Sequence, residues 1–135
     1  NKSFSLIIAD VDHFKYYNDT HGHQMGDLVL VSIASILKNS IRRGDLAARF
    51  GGEEFVVILP NCSKENAVLI GNKLRLAISD QNIQFQNQQP MGNLTCTFGV
   101  ATYPEDADTK ELLLKRADEC LYDAKARGRN KVVAA

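Results

Sequence analysis

The segment LAARFGGEEFVVILP constrains the fold more than any other part of the chain. Two strand-like runs, LAARF and EFVVIL, are separated here by little more than Gly51 and Gly52, a spacing typical of a β-hairpin with a two-residue primed turn. Glycine supplies the positive φ that such a turn requires. We therefore predict an antiparallel hairpin that ends at Pro60 and carries two adjacent carboxylates, Glu53 and Glu54, near its tip.

The hydrophobic pattern on both sides of the hairpin predicts the other elements. A nearly continuous apolar run over residues 4–11 predicts a buried central strand, and residues 93–102 predict another. Apolar residues recur at helical spacing over about 27–43, 63–78 and 109–127, whereas the polar segments 12–26 and 80–89 are predicted to be loops. With a short edge strand over 131–133, the order β-α-β-β-α-β plus one helix predicts an α/β (α+β) domain of the ferredoxin-like or palm type, with a central antiparallel sheet flanked by helices.

This topology predicts a cluster of acids. The third strand should lie antiparallel between the first and the second, so the end of strand one at Asp10 meets the beginning of strand three at Glu53. Asp10, Asp12, Glu53 and Glu54 are therefore expected to converge at one edge of the sheet. A few hard oxygen ligands suit Mg²⁺ or Mn²⁺. The alternative is that Glu53 and Glu54 are solvated acids, with Glu54 facing Arg49 across the strands.

Composition excludes several classes of function. The 135 residues suffice for one domain, and Lys plus Arg balance Asp plus Glu at 16 each, so no overall charge attracts the chain to nucleic acid or a membrane surface. No apolar run approaches the roughly 18 residues of a membrane span. The three cysteines are widely spaced and odd in number, which is typical of reduced thiols in a cytoplasmic domain. An RNA binder of this fold would need aromatic strands and a basic face, which the sequence lacks.

Three separated motifs point to one family. They are DVDHFKYYNDTHGHQMGD over residues 10–27, RFGGEEF over 49–55 and AKARGRNKV over 124–132. In this order they resemble the GGDEF-domain diguanylate cyclases, in the GGEEF variant, over essentially the whole chain. The resemblance implies an enzyme that joins two GTP molecules into cyclic di-GMP with release of pyrophosphate, on a palm-like fold. The alternatives are a catalytically weak module that binds cyclic di-GMP or GTP, and a related cyclase that uses ATP.

The resemblance assigns metal ligands and a base. Asp10 matches the metal-binding acid after strand one, Val11 would contribute its carbonyl oxygen, and Glu54 would help to hold a second metal. Glu53 matches the central acid, a metal ligand that also takes the proton of the 3′-hydroxyl group. The implied cofactor is Mg²⁺ or Mn²⁺, with two ions per active half-site. Asp12 lies in the matched stretch but is not expected to ligate the metal directly.

The resemblance also assigns substrate-binding residues. Asp27 matches the carboxylate that reads guanine, Asn18 matches its amide partner, and His23 matches a further substrate contact. One carboxylate can accept both the N1–H and N2–H₂ donors of guanine, whereas adenine presents an acceptor at N1. From the residues alone, Asp27 could equally be the N-cap of the following helix. Gly51 and Gly52 would let a triphosphate approach the backbone.

Phosphate contacts are implied near both ends of the chain. Phe14 and Lys15 match positions that contact the β- and γ-phosphates, and Lys15 would add charge as pyrophosphate leaves. Successive backbone N–H groups of this predicted loop could form an anion-binding nest. Lys125 and Arg129 match two more phosphate ligands, although basic residues at a helix C-terminus complement the helix dipole in any case.

Regulation and assembly are implied as well. In the family an RxxD segment before the hairpin binds the product cyclic di-GMP as an inhibitor, and Arg42 and Asp45 occupy those places. The alternative is that Arg42 and Arg43 end a helix whose C′ residue is Gly44. A single GTP site per chain lacks the second reactant, so catalysis is expected to need a homodimer in which each domain contributes a half-site.

The sequence departs from the family's pattern in two places. It lacks the segment that usually precedes strand one, and we expect the chain to be part of a longer sensor protein whose upstream domains carry any membrane anchor. The run TCTFGVA has Thr97 and Phe98 where the family usually has Ser and Ile. We interpret this second departure as a packing change.

Overall fold

The apolar run FSLIIADV forms the central strand β1 (Phe4–Val11), which is buried along nearly its whole length. On one side β1 pairs with β3 (Glu54–Pro60), which pairs in turn with β2 (Leu46–Arg49). On the other side it pairs with β4 (Cys96–Tyr103), beside which β5 (Val132–Ala134) runs parallel. Within residues 3–135, which the computed structural model describes, the order β2-β3-β1-β4-β5 confirms that β3 lies antiparallel between β1 and β2.

Helices cover both faces of this sheet. They are α1 (Phe14–His21), α2 (His23–Ser40), α3 (Lys64–Asp80) and α4 (Lys110–Ala126), with a 3₁₀ turn at Gln86–Gln88. Ser63 caps α3 as predicted, because its hydroxyl accepts the N–H of Asn66 at 3.3 Å. Of the two predicted caps for α4, Thr109 is the one whose hydroxyl accepts a helix N–H. No helix of residues 3–135 combines the length and apolar character needed to cross a membrane.

The alternation of side chains along β1 divides the core in two. Ile7, Ala9 and Val11 belong to the larger core cluster, which α2 and α3 cover, whereas Leu6 and Ile8 pack with residues of α4. Helix α4 lies directly on β4, because a Cβ atom at Gly99 would be 2.2 Å from the carbonyl oxygen of Ala117. The end of β1 is therefore held between helices on both faces of the sheet.

The prediction that residues 12–26 form a loop is wrong. Residues 14–21 form α1, because Phe14 and Tyr17, one turn apart, are buried while the residues between them are exposed. Gly22, with φ 91°, turns the chain directly into α2. Since α2 begins at His23, Asp27 lies in its second turn and is not the N-cap.

The hairpin also differs from its prediction. Phe50 donates its N–H to the carbonyl of Glu54 at 2.8 Å, so three residues, and not two, form the loop between the paired positions. Gly51 and Gly52 are not among the residues with positive φ. Glu53 belongs to this loop, and β3 begins one residue later.

Helix α2 ends at Ser40, so Arg42 and Arg43 do not close it, and Gly44 (φ 95°) belongs to a separate turn.

Candidate active site

A cleft of about 430 Å³ lies between α1, the first turns of α2 and the β2–β3 hairpin. The predicted base Glu53 lines it together with many of the predicted substrate-binding residues: Phe14, Lys15, Asn18, His23, Asp27 and Gly52. Asp27 and His23 are exposed on one wall, and Glu53 is half-buried at the hairpin on the other. The cleft therefore presents carboxylate and amide acceptors at one side and Glu53 of the hairpin at the other.

An unsatisfied acceptor lies in the wall of this cleft. The side-chain oxygen Oδ1 of Asn18 is buried and has no hydrogen-bond partner among the described residues. It fits beside Gly26, where a Cβ atom would lie 1.7 Å from it. A buried acceptor without a donor is costly. Asn18 thus has the properties of a group whose donor comes from a ligand, and the sequence analysis missed the part that Gly26 plays.

The N-terminus of α1 opens near the same cleft. His13 precedes the helix in the left-handed conformation (φ 54°), and no side chain of residues 3–135 caps this end. Phe14 and Lys15 are its first helical residues, and their N–H groups belong to the set that a helix leaves without intrahelical partners. The predicted anion-binding nest is therefore a helix N-terminus. The Lys15 ammonium, which is exposed, pairs with Asp19 at 3.0 Å.

The acids at the sheet edge form a second group, which we call the carboxylate edge: Asp10, Glu53 and Glu54. Asp10 is paired across the sheet with Glu54. Burial raises the pKa of Glu53, and the negative charge of Asp10 and a hydrogen bond with it raise the pKa further. Burial and the charge of Asp10 also raise the pKa of Glu54. Asp10 is therefore close enough to both glutamates for its charge to oppose their ionisation.

A lysine from α4 partly offsets this charge. The Nζ atom of Lys125, in the last turn of α4, lies 2.5 Å from Oδ2 of the buried Asp10. It also lowers the pKa values of Glu53 and Glu54, against the larger effects that raise them. Lys125 therefore does more than complement the helix dipole, because it is a specific partner of Asp10. Arg129 follows in the turn after α4, and like Asp10 and Lys125 it does not line the cleft.

Asp12 does not join the carboxylate edge, in contrast to the expected convergence of four acids. Its carboxylate is buried and accepts hydrogen bonds from Thr95 Oγ1 at 2.7 Å and Thr97 Oγ1 at 2.6 Å, and from the N–H of Asn130 at 3.2 Å. Burial raises the pKa of Asp12, although these hydrogen bonds act in the opposite direction. Thr97 is thus more than a packing change, because its hydroxyl holds a buried acid.

The carboxylate edge fits a hard divalent cation that takes further ligands from water and phosphate. No three His, Cys, Asp or Glu side chains of residues 3–135 form a ready-made metal site. Mg²⁺, however, is usually held by one or two carboxylates plus substrate phosphates. Val11 donates its N–H to Glu53 O at 3.2 Å, so its own carbonyl faces the same edge. The excess negative charge here is what a cation would neutralise.

Arg49 fixes the hairpin loop. Its guanidinium donates to the carbonyl oxygens of Gly51 at 3.0 Å and Gly52 at 2.6 Å, so it does not face Glu54 as the alternative interpretation required. Arg49 also lines the cleft. Gly52 has open space around it, whereas Gly51 does not line the cleft and its Cβ would lie 3.6 Å from Glu54. No pattern in the sequence indicated that Arg49 would hold the hairpin loop.

The predicted inhibitory residues form a separate, prearranged pair. The Arg42 guanidinium donates to both carboxylate oxygens of Asp45, at 3.2 and 3.1 Å, and to the carbonyl of Pro60 at 2.7 Å. The side chain of Asp45 is buried, whereas the side chain of Arg42 is about half exposed. The pair precedes β2, whose other end leads into the hairpin, so it lies roughly 13 Å from the cleft along the strand.

Comparison with known proteins identifies the family. The family model described as "Diguanylate cyclase, GGDEF domain" matches residues 1–131. This chain belongs to the GGDEF family. Among its relatives, Diguanylate cyclase A of Treponema denticola is 38% identical over 131 residues, which are 97% of this chain and 35% of that protein. Response regulator PleD of Caulobacter vibrioides is 44% identical over 129 residues, which are 96% of this chain and 28% of that protein. The chain thus spans about a third of these relatives.

Solved GGDEF domains have the same fold. The GGDEF domain of DgcB from Caulobacter crescentus, in complex with c-di-GMP, has a TM-score of 0.88 and 33% identity over 98% of this chain and 78% of that one. The active GGEEF domain of a diguanylate cyclase from Vibrio cholerae has a TM-score of 0.89 and 30% identity over 98% and 83%. These neighbours confirm the palm-like fold that the family resemblance implied. Diguanylate cyclases of this family are metal-dependent.

Proposed function

We propose that this GGDEF domain condenses two GTP molecules into cyclic di-GMP with release of pyrophosphate. The observation that carries the proposal is the junction of the cleft with the carboxylate edge at Glu53, which borders both. A nucleotide whose base occupies the cleft can extend its triphosphate and ribose toward those acids. The solved Vibrio cholerae neighbour, described as an active GGEEF domain, supports catalysis by the same hairpin sequence.

Guanine binds through two acceptors of the cleft. Asp27 accepts from N1–H and N2–H₂, and Oδ1 of Asn18 accepts a remaining base donor, so this buried oxygen gains the partner that the described residues do not supply. His23 contributes a further contact from the same wall. Adenine has no donor at N1, and leaving an acceptor unpaired costs about 1–3 kcal/mol. The domain should therefore prefer GTP to ATP in a competition assay.

The triphosphate binds to basic side chains and to the backbone N–H groups at the N-terminus of α1. The N-terminus of α1 at Phe14 and Lys15 supplies backbone donors, and the Lys15 side chain adds a charge that can leave Asp19 for a phosphate. Lys125 and Arg129 contribute from the end of α4. Gly52, which has no side chain to obstruct the cleft, permits close approach of the phosphates. Gly51 precedes it in the loop but does not line the cleft.

The carboxylate edge is proposed to hold Mg²⁺ or Mn²⁺, two ions per half-site, through Asp10, the Val11 carbonyl, Glu53 and Glu54. The bound ions supply charge neutralisation and activation of the attacking hydroxyl group. Glu53 acts as the base. It takes the proton of the 3′-hydroxyl group of one GTP while the oxygen of that hydroxyl group attacks the α-phosphorus of the other GTP. The P–O bond to pyrophosphate breaks in the same displacement, and Lys15 stabilises the leaving group.

Each domain supplies one half-site, so catalysis requires a homodimer. The experiment is to incubate the domain with GTP and Mg²⁺ over a wide range of protein concentration and to measure pyrophosphate and cyclic di-GMP. Specific activity should rise with concentration as dimers form. A specific activity independent of dilution would contradict the half-site arrangement. GTP binding without any pyrophosphate from an enforced dimer would instead indicate a signalling module.

Product inhibition is proposed at Arg42 and Asp45. The bidentate pair presents a half-exposed guanidinium that can bind the guanine edge or the phosphates of cyclic di-GMP. Arg42→Ala should leave the initial rate unchanged and abolish inhibition by added cyclic di-GMP. An exposed arginine elsewhere on the surface, Arg116, provides the matched control as Arg116→Ala. Equal inhibition of all three proteins would reject this site.

A further inference from the structure

Both carboxylate oxygens of Asp12 accept hydrogen bonds from its own protein. Asp12 is 3% exposed, and its two oxygens accept from Thr95, Thr97 and the backbone of Asn130. Thr97 Oγ1 accepts from the same Asn130 N–H at 2.9 Å. The donors come from the approach to β4, from β4 itself and from the segment before β5. Asp12 therefore joins three parts of the chain that are distant in sequence.

The segment that Asp12 anchors has a strained backbone. Gly128, Arg129 and Asn130 follow one another with φ values of 113°, 64° and 49°. Two consecutive non-glycine residues in the left-handed region are uncommon and persist only when their surroundings fix them. The Arg129 N–H bonds Ala124 O at 3.1 Å, and the Asn130 side chain accepts from Arg75 at 3.3 Å. The Asn130 N–H goes to Asp12 and Thr97.

This anchored turn places a cationic residue, Arg129, close enough to the end of β1 for its charge to lower the pKa of Asp12. Arg129 lies between Asn130, which is held by Asp12, and α4, whose last turn holds Lys125 against Asp10. Asp10 and Asp12 are two residues apart at the end of β1. The same strand end thus fixes both the carboxylate edge and the turn that presents Arg129.

We propose that Asp12 is a positioning residue that acts through Arg129: it holds the turn 128–130 so that the Arg129 guanidinium meets the triphosphate, and it does not ligate metal. The inference rests on the proposed function, because it names the residue that orients one of the proposed phosphate ligands. Asp12→Asn keeps the shape of the side chain but replaces one acceptor by a donor amide, which faces the donors of Thr95 and Asn130 or of Thr97.

The decisive test is a double-mutant cycle on GTP binding. In the enforced dimer, Asp12→Asn should raise the KM for GTP about tenfold, with a smaller change in kcat. In the Arg129→Ala background the same substitution should change the KM less than about twofold, because the group it positions is gone. An equal effect in both backgrounds would overturn the proposal. If the dimer binds GTP without turnover, the dissociation constant for GTP replaces KM.

Two measurements that need no nucleotide separate this inference from the proposed function. Hydrogen exchange of the Asn130 amide should accelerate at least about tenfold in Asp12→Asn, because one of its two acceptors is altered and the other, Thr97 Oγ1, loses the carboxylate to which it donates. It should be unchanged in the surface control Arg116→Gln. Mg²⁺ should still raise the melting temperature of Asp12→Asn. An unchanged Asn130 exchange rate, or loss of the Mg²⁺ response, would refute the positioning role even if GTP were not the substrate.

A milder variant covers the possibility that Asp12→Asn does not fold. Thr95→Val removes one hydrogen bond to the same carboxylate and keeps the volume of the side chain. It should shift the KM and the Asn130 exchange rate in the same direction by a smaller factor. If the exchange rate of the Asn130 amide changed neither in Thr95→Val nor in Asp12→Asn, Asp12 would not be the anchor of this turn.

Discussion

Asp10 and Asp12 occupy the same strand end, yet their surroundings differ in kind. Asp12 has donors from two threonines and one backbone N–H, all fixed by the fold. Asp10 faces two other acids and a single lysine. A carboxylate whose acceptors are all matched internally has nothing left to bind, whereas crowded acids can bind a cation and exchange a proton. Acids that the fold leaves without enough donors or cations of their own are therefore the better candidates for a functional site.

The largest effect should follow from neutralising the carboxylate edge at Glu53. We expect Glu53→Gln to lower the rate of pyrophosphate release by about 10²–10⁴-fold, because the proposed base is lost. Its melting temperature should stay the same or rise, since burial and Asp10 disfavour the charged form that the substitution removes. Pyrophosphate release and thermal unfolding measure the two quantities.

The matched control is Glu119→Gln, because Glu119 is an exposed acid on α4 whose one ion pair among residues 3–135 is with Arg116, at 3.1 Å. It should leave both the rate and the melting temperature unchanged. An undiminished rate in Glu53→Gln would remove Glu53 from the chemistry. A large loss of stability in Glu53→Gln would mean that the carboxylate edge is structural, like Asp12.

A smaller effect should follow from filling the space beside Asn18. Gly26→Ala forces the Asn18 amide to move, because the new methyl group would lie 1.7 Å from its oxygen. We expect the KM for GTP to rise about tenfold, because a base contact is lost. The control is the same substitution in an Asn18→Ala background, where it should have little further effect on KM. Independent effects of the two substitutions would show that Gly26 does not act through Asn18.

The smallest expected effect is stabilisation by metal alone. At five times its dissociation constant, Mg²⁺ should stabilise the nucleotide-free domain by about 1 kcal/mol, a rise in melting temperature of about 2–5 °C. Asp10→Asn should abolish this rise, whereas Glu119→Gln should retain it. If Asp10→Asn responded to Mg²⁺ like the unsubstituted protein, the carboxylate edge would not be the metal site.

The sequence predicted the sheet well because its signals are local and redundant. The apolar run of β1 and the paired runs around the hairpin fix which strands are neighbours, and that topology brings Asp10 to the hairpin acids. Helix α1 was not predicted, because its buried face consists of only two residues, Phe14 and Tyr17, within an otherwise polar segment. The three-residue hairpin loop was not predicted either, because a glycine pair is compatible with several loop lengths.

Without the family resemblance, the different surroundings of Asp10 and Asp12 could not be predicted from the residues, for a deeper reason. Both follow the same apolar run, and both are acids in one motif. What separates them is the arrival of Thr95, Thr97 and Asn130 at one carboxylate and of Lys125 at the other, from 83 to 118 residues away. Only the packed fold decides which acid is satisfied.

The ion pair between Lys125 and Asp10 means that the domain brings its own counter-ion to the most crowded part of its surface. A polypeptide that relieves this repulsion internally has less need of a cation in order to fold. If the carboxylate edge holds magnesium as proposed, the supply of that ion would affect activation more than assembly.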